Sequence, residues 1–121
     1  MSRLLLGIDL GTSGVKVCVI RDDCSVVSTG EGRYPTVFPK AQYAEQDAEQ
    51  WWDATVRAIR QAVDRAAGQG QIAGISVSSQ SPSLLPVDKN GKPLRNAMIW
   101  MDRRATRECA YLARDLIVLE K

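Results

Sequence analysis

Alternating apolar and polar residues predict three strands in the first third of the chain. The apolar run from Arg3 to Asp9 is typical of a buried strand, and a glycine-rich turn follows it. Val15 to Ile20 alternates with the period of two that a strand surface requires. A third run begins at Val26 and ends by Pro35, since proline cannot donate to a strand ladder. The short turn between the first two runs predicts a hairpin.

The pattern then changes to a helical period. Asp47 followed three residues later by Gln50 is typical of a helix start, and Gly68 predicts the stop. We interpret Trp51 and Trp52 as core and staple residues of this helix. Its predicted buried stripe consists of the apolar residues Val56, Ile59, Val63 and Ala66.

A strand, a second hairpin and a second helix complete the predicted order. The segment IAGISVSSQ, residues 72–80, predicts a strand rich in small residues, and Asn90-Gly91 is a strong hairpin signal. From Asp102 the pattern is helical, with one apolar stripe: Ala105, Cys109, Leu112, Leu116 and Leu119. Three strands, a helix, a strand, a hairpin and a helix predict a mixed α/β domain.

Length and composition narrow the class of protein. With 121 residues the chain suits one domain, and 45% apolar and 25% charged residues are typical of a globular protein without a membrane span. The first residues, MSRLLLGIDLG, are a poor match to a secretory signal, so we expect a cytoplasmic location.

Residue types also limit the chemistry. Three cysteines in no metal-type spacing make a disulfide scaffold or a zinc site an unfavoured interpretation. Histidine is absent, so acid–base chemistry must use carboxylates or come from elsewhere. A net charge of +2, with basic residues dispersed among acidic ones, does not favour nucleic-acid binding.

The turn in GIDLGTSGVK has the groups that phosphate binding requires. Gly11 permits close approach of backbone amides, Thr12 and Ser13 add hydroxyls, Lys16 adds a positive charge, and Asp9 could hold magnesium. The spacing differs from both the Walker pattern and the dinucleotide pattern. The alternative is a plain β-turn whose glycines adopt positive φ. Asp9 weighs against it, because a carboxylate ending a hydrophobic strand must be desolvated or meet a cation.

Two polar segments are candidates for substrate contacts. Gln80, Ser81 and Pro82 follow an apolar strand, where hydroxyl and amide groups suit a polyhydroxy ligand; a solvated Ser-Pro turn is the alternative. Trp100 and Asp102 pair an aromatic face with a carboxylate, as sugar sites often do. The alternative is a structural role for both residues, in which the tryptophan is partly buried and the aspartate caps the next helix.

The segments GIDLGTSGVKVCVI, QYAEQDAEQWWDATVRAI, IAGISVSSQ and PVDKNGKPLRNAMIWMDRRA occur in one order and spacing. With these segments in this order, the chain resembles the amino terminus of the FGGY family of carbohydrate kinases, and xylulokinase-like members are nearest. The resemblance extends from about Arg3 to Leu116. The resemblance implies a ribonuclease-H-like, actin-type ATPase fold: a mixed sheet with flanking helices. It also implies ATP-dependent phosphorylation of a sugar or polyol hydroxyl.

The resemblance further implies roles for individual residues. Asp9 matches the carboxylate associated with Mg2+, Thr12 and Ser13 match hydroxyls near the transferred phosphate, and Lys16 a basic residue beside it; Gly11 belongs to the same ATP-binding turn. The implied substrate contacts are Gln80, Ser81, Pro82, Trp100 and Asp102. ATP and Mg2+ are the implied cofactors.

Two departures from the family pattern affect these expectations. Gln80 is followed by Ser81, Pro82 and Ser83 rather than by Met-His-Gly, so the sequence does not indicate which sugar is used. Family enzymes are several times longer, which implies that residues 1–121 are one domain of a kinase, with the catalytic base and the ATP-binding domain beyond Lys121. Such a fragment would be inactive alone and would pair with the remainder of its own chain; a homodimer is also allowed. Another actin-like ATPase or a non-catalytic binding domain are the alternatives.

Overall fold

The computed structural model describes the backbone of residues 2–119 and the side chains of residues 2–114. The predicted apolar positions Leu116 and Leu119 therefore lie outside the described side chains. The elements in chain order are β1 (Arg3–Leu10), β2 (Gly14–Arg21), β3 (Val26–Arg33), β4 (Glu45–Gln46), α1 (Ala48–Arg65), β5 (Gln71–Ser79), β6 (Ala97–Met98) and α2 (Thr106–Leu119).

The main sheet is mixed and has the strand order β3-β2-β1-β5. β1 and β2 pair antiparallel, which confirms the predicted hairpin, and β2 pairs antiparallel with β3. β5 pairs parallel with β1, which brings the ends of these two strands to the same edge of the sheet. The short strands β4 and β6 form a second, two-stranded sheet. The order of elements confirms the predicted mixed α/β class.

Helix α1 covers one face of this sheet because two glycines of β3 leave room for its backbone. A Cβ at Gly30 would lie 2.0 Å from the carbonyl oxygen of Ala58, and one at Gly32 would lie 2.8 Å from that of Ala54. The core between the sheet and the helix is aliphatic: Leu4, Leu6, Ile8, Val15, Val17 and Val19 of the strands, and Ala54, Ala58, Ala62 and Ala66 of the helical segment.

The predicted stripe of α1 is confirmed at Ala66, which is buried, and at Ile59, which packs against the core. It is wrong at Val63, which is 37% exposed, and Val56 is only partly buried, because the buried face is the row of alanines. At the close approach to the glycines only a methyl side chain fits, so the larger residues are displaced to the flanks. Trp51 packs against the core as predicted, whereas Trp52 is 67% exposed, so its core assignment was wrong.

The predicted start of α1 is confirmed at Asp47, whose carboxylate accepts a hydrogen bond from the backbone amide of Glu49. The predicted hydrogen bond between the Gln50 side chain and the capping residue does not occur among the described residues. Gly68 has a φ of +78° and lies just past the end of the helix, in keeping with the predicted stop.

The later elements differ from expectation in extent. Asn90-Gly91 forms a turn, with Gly91 at φ +79°, but its flanks make only the isolated bridge between Val87 and Pro93. The second helix begins at Thr106 rather than at Asp102. No helix within the described part of the chain is long and apolar enough to cross a membrane.

Candidate functional site

The turn between β1 and β2 is closed by a hydrogen bond from the Gly11 amide to the Gly14 carbonyl, at 2.9 Å. Its glycines do not serve positive φ, because among the described residues positive-φ glycines are confined to positions 68, 70 and 91. The interpretation as a plain β-turn is therefore wrong about the backbone conformation of these glycines. Gly14 is required by space, since a Cβ there would lie 2.3 Å from the carbonyl oxygen of Gly32.

Asp9 and Lys16 are cross-strand neighbours on the sheet face opposite α1. Both side chains are exposed, so Asp9 is not desolvated: no described element covers this face at that point. The other alternative, that Asp9 meets a cation, stays a prediction. Two open cavities, of about 800 and 380 Å³, share Asp9, Lys16 and Glu31 in their linings, and the smaller one includes Gly11 and Ser13 of the turn. The Asp9 carboxylate, the Lys16 side chain and the backbone of the turn therefore face the same open space.

Side chains from three other segments hold the turn in shape. The Tyr34 hydroxyl donates to the carbonyl oxygen of Gly11 at 2.5 Å, and Gln46 Nε2 donates to that of Thr12 at 2.7 Å. Trp100 Nε1 donates to the Thr12 hydroxyl oxygen at 3.0 Å. These donors fix the direction of the Thr12 carbonyl and hydroxyl, so the turn is positioned by the tertiary structure.

The donor role of Tyr34 is supported by its electrostatics. Burial raises the pKa of the phenol, and the negative charge of Asp9 raises it further. The hydroxyl therefore stays protonated at neutral pH and remains a donor to the turn.

Gln46 is fully buried and uses every hydrogen-bonding position of its amide. Nε2 donates to the Thr12 carbonyl and to the Thr36 hydroxyl, each at 2.7 Å. Oε1 accepts from Trp51 Nε1 and from Gln80 Nε2, each at 2.9 Å. A side-chain amide has two donor hydrogens and two acceptor lone pairs, so Gln46 is saturated. It connects the predicted phosphate turn directly to the predicted substrate residue Gln80.

Gln80 lies just beyond the end of β5, and its backbone amide donates to the Leu10 carbonyl at 2.8 Å. Its Oε1 is buried and has no hydrogen-bond partner among the described residues. Ser81 and Pro82 follow it at the surface. The structure thus brings Gln80 to the end of β1 where the turn begins, with one acceptor unused.

Trp100 and Asp102 have different environments. The ring of Trp100 is 53% exposed, and its one polar atom is engaged by Thr12. Asp102 accepts hydrogen bonds from the Ala44 amide at 2.8 Å and from the Arg104 guanidinium at 2.7 Å, and this guanidinium lowers the pKa of the carboxyl. Asp102 caps no helix, which corrects that alternative. Its predicted sugar contact stays a prediction, although both oxygens already have partners in the chain.

Sequence reasoning missed the residues that support this site. Tyr34 and Gln46 carry no motif of their own, and their partners are 23 and 34 residues away in the sequence. It also missed the buried cluster behind Asp102, in which the Arg104 guanidinium bonds Glu45 at 2.6 Å and stacks 3.9 Å from the centroid of the Tyr43 ring. The one sequence signal for these residues was the segment AEQD, residues 44–47, just before the helix start.

The donor set suits magnesium bound together with phosphates. Asp9 offers hard carboxylate oxygens beside the turn, and no group of three or more metal-ligating side chains exists among the described residues. Mg2+ is commonly held by one or two carboxylates, substrate phosphates and water. The residues present therefore fit a metal that enters with a nucleotide.

The mixed sheet, with one helix-covered face and a polar turn at the end of its central hairpin, has the actin-like ATPase fold of the sugar kinases whose solved structures it superposes on. Residues 4–120 match the amino-terminal domain of the FGGY family of carbohydrate kinases, and the chain belongs to this family. It is 35% identical over 117 residues to the glycerol kinase of Allorhizobium ampelinum and 38% identical over 108 residues to the xylulose kinase of Bacillus subtilis. These matches cover 95% and 88% of the chain.

Solved structures agree with the sequence matches. A xylulose kinase from Brucella ovis superposes with a TM-score of 0.85 at 35% identity, covering 94% of this chain. Another, from Rhodospirillum rubrum, gives 0.89 at 26% identity, covering 93%. The chain spans about a quarter of the length of these relatives: 24% and 22% of the two named kinases, and 24% and 23% of the two structures.

Proposed function

We propose that this chain is the amino-terminal domain of an ATP-dependent kinase that phosphorylates a hydroxyl of a sugar or polyol. The observation that carries the proposal is the hydrogen-bonded connection from the Asp9–Lys16 turn through Gln46 to Gln80. Such a connection would keep the phosphate site and the residues that follow β5 in a fixed relation, as transfer between two bound molecules requires.

The turn would bind the phosphates of ATP. The amides and hydroxyls of Thr12 and Ser13 would contact phosphate oxygens, Gly11 would permit their close approach, and Lys16 would neutralise charge that develops during transfer. Asp9 would hold Mg2+, which when bound would offset the negative charge of the phosphates. The exposure of Asp9 and Lys16 supports this assignment, because both side chains are free to face a ligand.

The substrate would lie against Gln80, Ser81, Pro82 and Trp100, with Asp102 behind them. The half-exposed ring of Trp100 offers an apolar face for the C–H groups of a sugar, and the exposed Ser81 offers a hydroxyl. In the reaction, the substrate hydroxyl oxygen forms a bond to the γ-phosphorus while the bond from that phosphorus to the bridging oxygen breaks and ADP leaves. The hydroxyl proton goes to a general base that the rest of a longer kinase chain supplies.

The test is a substrate screen with the full-length protein and ATP. D-xylulose, glycerol and gluconate are the first compounds to use, since relatives and a structural neighbour are named for kinases of these substrates. We expect ADP release that depends on one of these or a related ketose or polyol. ATP hydrolysis that no sugar or polyol accelerates would contradict the proposal. The cytoplasmic location, the single domain over residues 1–121 and the homodimer stay predictions.

A further inference from the structure

Gln80 has a defined amide orientation, and Gln46 is the cause. The carbonyl of Thr12 can only accept a hydrogen bond and the indole N–H of Trp51 can only donate one. Gln46 must therefore direct Nε2 towards Thr12, at 2.7 Å, and Oε1 towards Trp51, at 2.9 Å. Neither contact survives a flip of the Gln46 amide.

This orientation of Gln46 determines that of Gln80. The two amides meet with Gln46 Oε1 at 2.9 Å from Gln80 Nε2, so Gln80 must present its N–H to that oxygen. A flipped Gln80 would bring two acceptor oxygens together. The Gln80 carbonyl oxygen is therefore directed away from Gln46, and it is the buried oxygen that lacks a partner among the described residues.

We propose that Gln46 is a positioning residue for the sugar site: it holds Gln80, and with it the exposed residues Ser81 and Pro82, in a fixed relation to the phosphate turn at Thr12. The inference rests on the proposed kinase function, because the ligand at this place is the phosphate acceptor. The Gln80 carbonyl oxygen is enclosed by the chain, so a change in the orientation of this amide would disturb the residues that follow it.

The two halves of Gln46 have separable effects. Its Oε1 orients Gln80 and should govern how tightly the sugar binds, whereas its Nε2 holds the Thr12 carbonyl and should govern the geometry of the phosphate turn. Gln46→Met removes both functions at similar length. Gln46→Glu keeps oxygens for Trp51 and Gln80 but cannot donate to Thr12.

The first measurement is steady-state kinetics of the full-length protein with whichever of D-xylulose, glycerol and gluconate the wild type accepts. We expect Gln46→Met both to raise the KM for the sugar and to lower kcat, so that kcat/KM falls at least tenfold. Gln46→Glu should lower kcat while it leaves the KM for the sugar within about threefold of wild type. Gln50→Met, on the exposed side of α1, is the matched control and should retain wild-type constants.

A double-mutant cycle decides whether Gln46 acts through Gln80. We expect Gln80→Ala to reduce kcat/KM by a similar factor, and the double variant Gln46→Met/Gln80→Ala to be no more than about twofold worse than the poorer single variant. Multiplicative effects of the two substitutions would overturn the inference. If Gln46→Met does not fold, Gln46→Ser, which also removes the acceptor for Gln80, takes its place in the cycle.

A ligand-free measurement separates this inference from the proposed function. The side-chain amide signal of Gln80 in a glutamine-labelled NMR spectrum, assigned by its loss in Gln80→Ala, should shift in Gln46→Met because its acceptor is gone. An unchanged signal would overturn the positioning role even where the protein proves to be a kinase. Absence of turnover with every sugar in the screen would reject the kinase proposal, and with it the sugar as the ligand at this place.

Discussion

The close contact between α1 and β3 allows a quantitative prediction for Gly30→Ala. The added Cβ would lie 2.0 Å from the Ala58 carbonyl oxygen and 3.1 Å from the Ala62 amide nitrogen, and both are backbone atoms that cannot move away by a rotamer change. The helix must retreat by about 1 Å along its contact with the sheet, which loosens the alanine row. Overpacking of a core costs about 1–3 kcal/mol, and the rigid contact places this variant near the upper end.

Alanine is better than glycine inside a strand by about 0.5–1 kcal/mol, which offsets part of the cost. We therefore expect Gly30→Ala to lower the free energy of unfolding by about 2 kcal/mol and Tm by roughly 8 °C, at about 4 °C per kcal/mol for a domain of this size. Urea denaturation followed by far-UV circular dichroism and tryptophan fluorescence measures it.

Gly7→Ala is the matched control. It lies in the same sheet, and its added Cβ would come no closer than 4.0 Å, to the Cys18 carbonyl oxygen. This control should unfold within about 1 kcal/mol of the wild type. If Gly30→Ala and Gly7→Ala have the same midpoint, the glycine-dependent approach of the helix is refuted.

Three further predictions concern the site. Asp9→Asn in the full-length protein should abolish sugar-dependent ADP release yet leave the urea midpoint unchanged, because Asp9 is exposed; full activity would reject its metal role. Tyr34→Phe should cost about 1 kcal/mol of stability through the lost hydrogen bond to the turn, and an unchanged midpoint would contradict that bond. The Arg104 guanidinium lowers the pKa values of Glu45 and Asp102 in the folded state, so the stability they contribute is complete above their ordinary values of 4.5 and 3.8 and is lost as the pH falls below them. Urea midpoints measured from about pH 7 down to pH 3 should decline at the acid end, and the decline should be less steep in Asp102→Asn than in the wild type. Equal slopes of midpoint against pH in the two proteins would contradict the ion pairs.

The elements of the fold were predictable because their signals are local. β1, β2 and α1 each carry their own period, and Asp47 and Gly68 mark helix ends by short-range chemistry. The face that α1 buries was not predictable in this way. It depends on Gly30 and Gly32, which lie in another element, and no helical period reports their position.

Some features of the candidate site could likewise be predicted from local sequence, and others could not. The turn residues could be proposed as a phosphate site because phosphate binding requires small and polar groups at close spacing. The exposure of Asp9 could not, since it depends on which sheet face stays uncovered. Gln46 was missed because its importance lies in four partners that only the folded chain brings together.

The bracing of the β1–β2 turn by Tyr34, Gln46 and Trp100 has a consequence for how this site comes into existence. The contact between Trp100 and Thr12 joins residues 88 positions apart, so the turn acquires its final shape only after nearly the whole chain has folded. A peptide that contains GIDLGTSGVK, or a graft of it onto a foreign hairpin, would carry the residues without their orientation. During synthesis the segment leaves the ribosome before Trp100, so it acquires the orientation that phosphate binding would require only after Trp100 has also emerged.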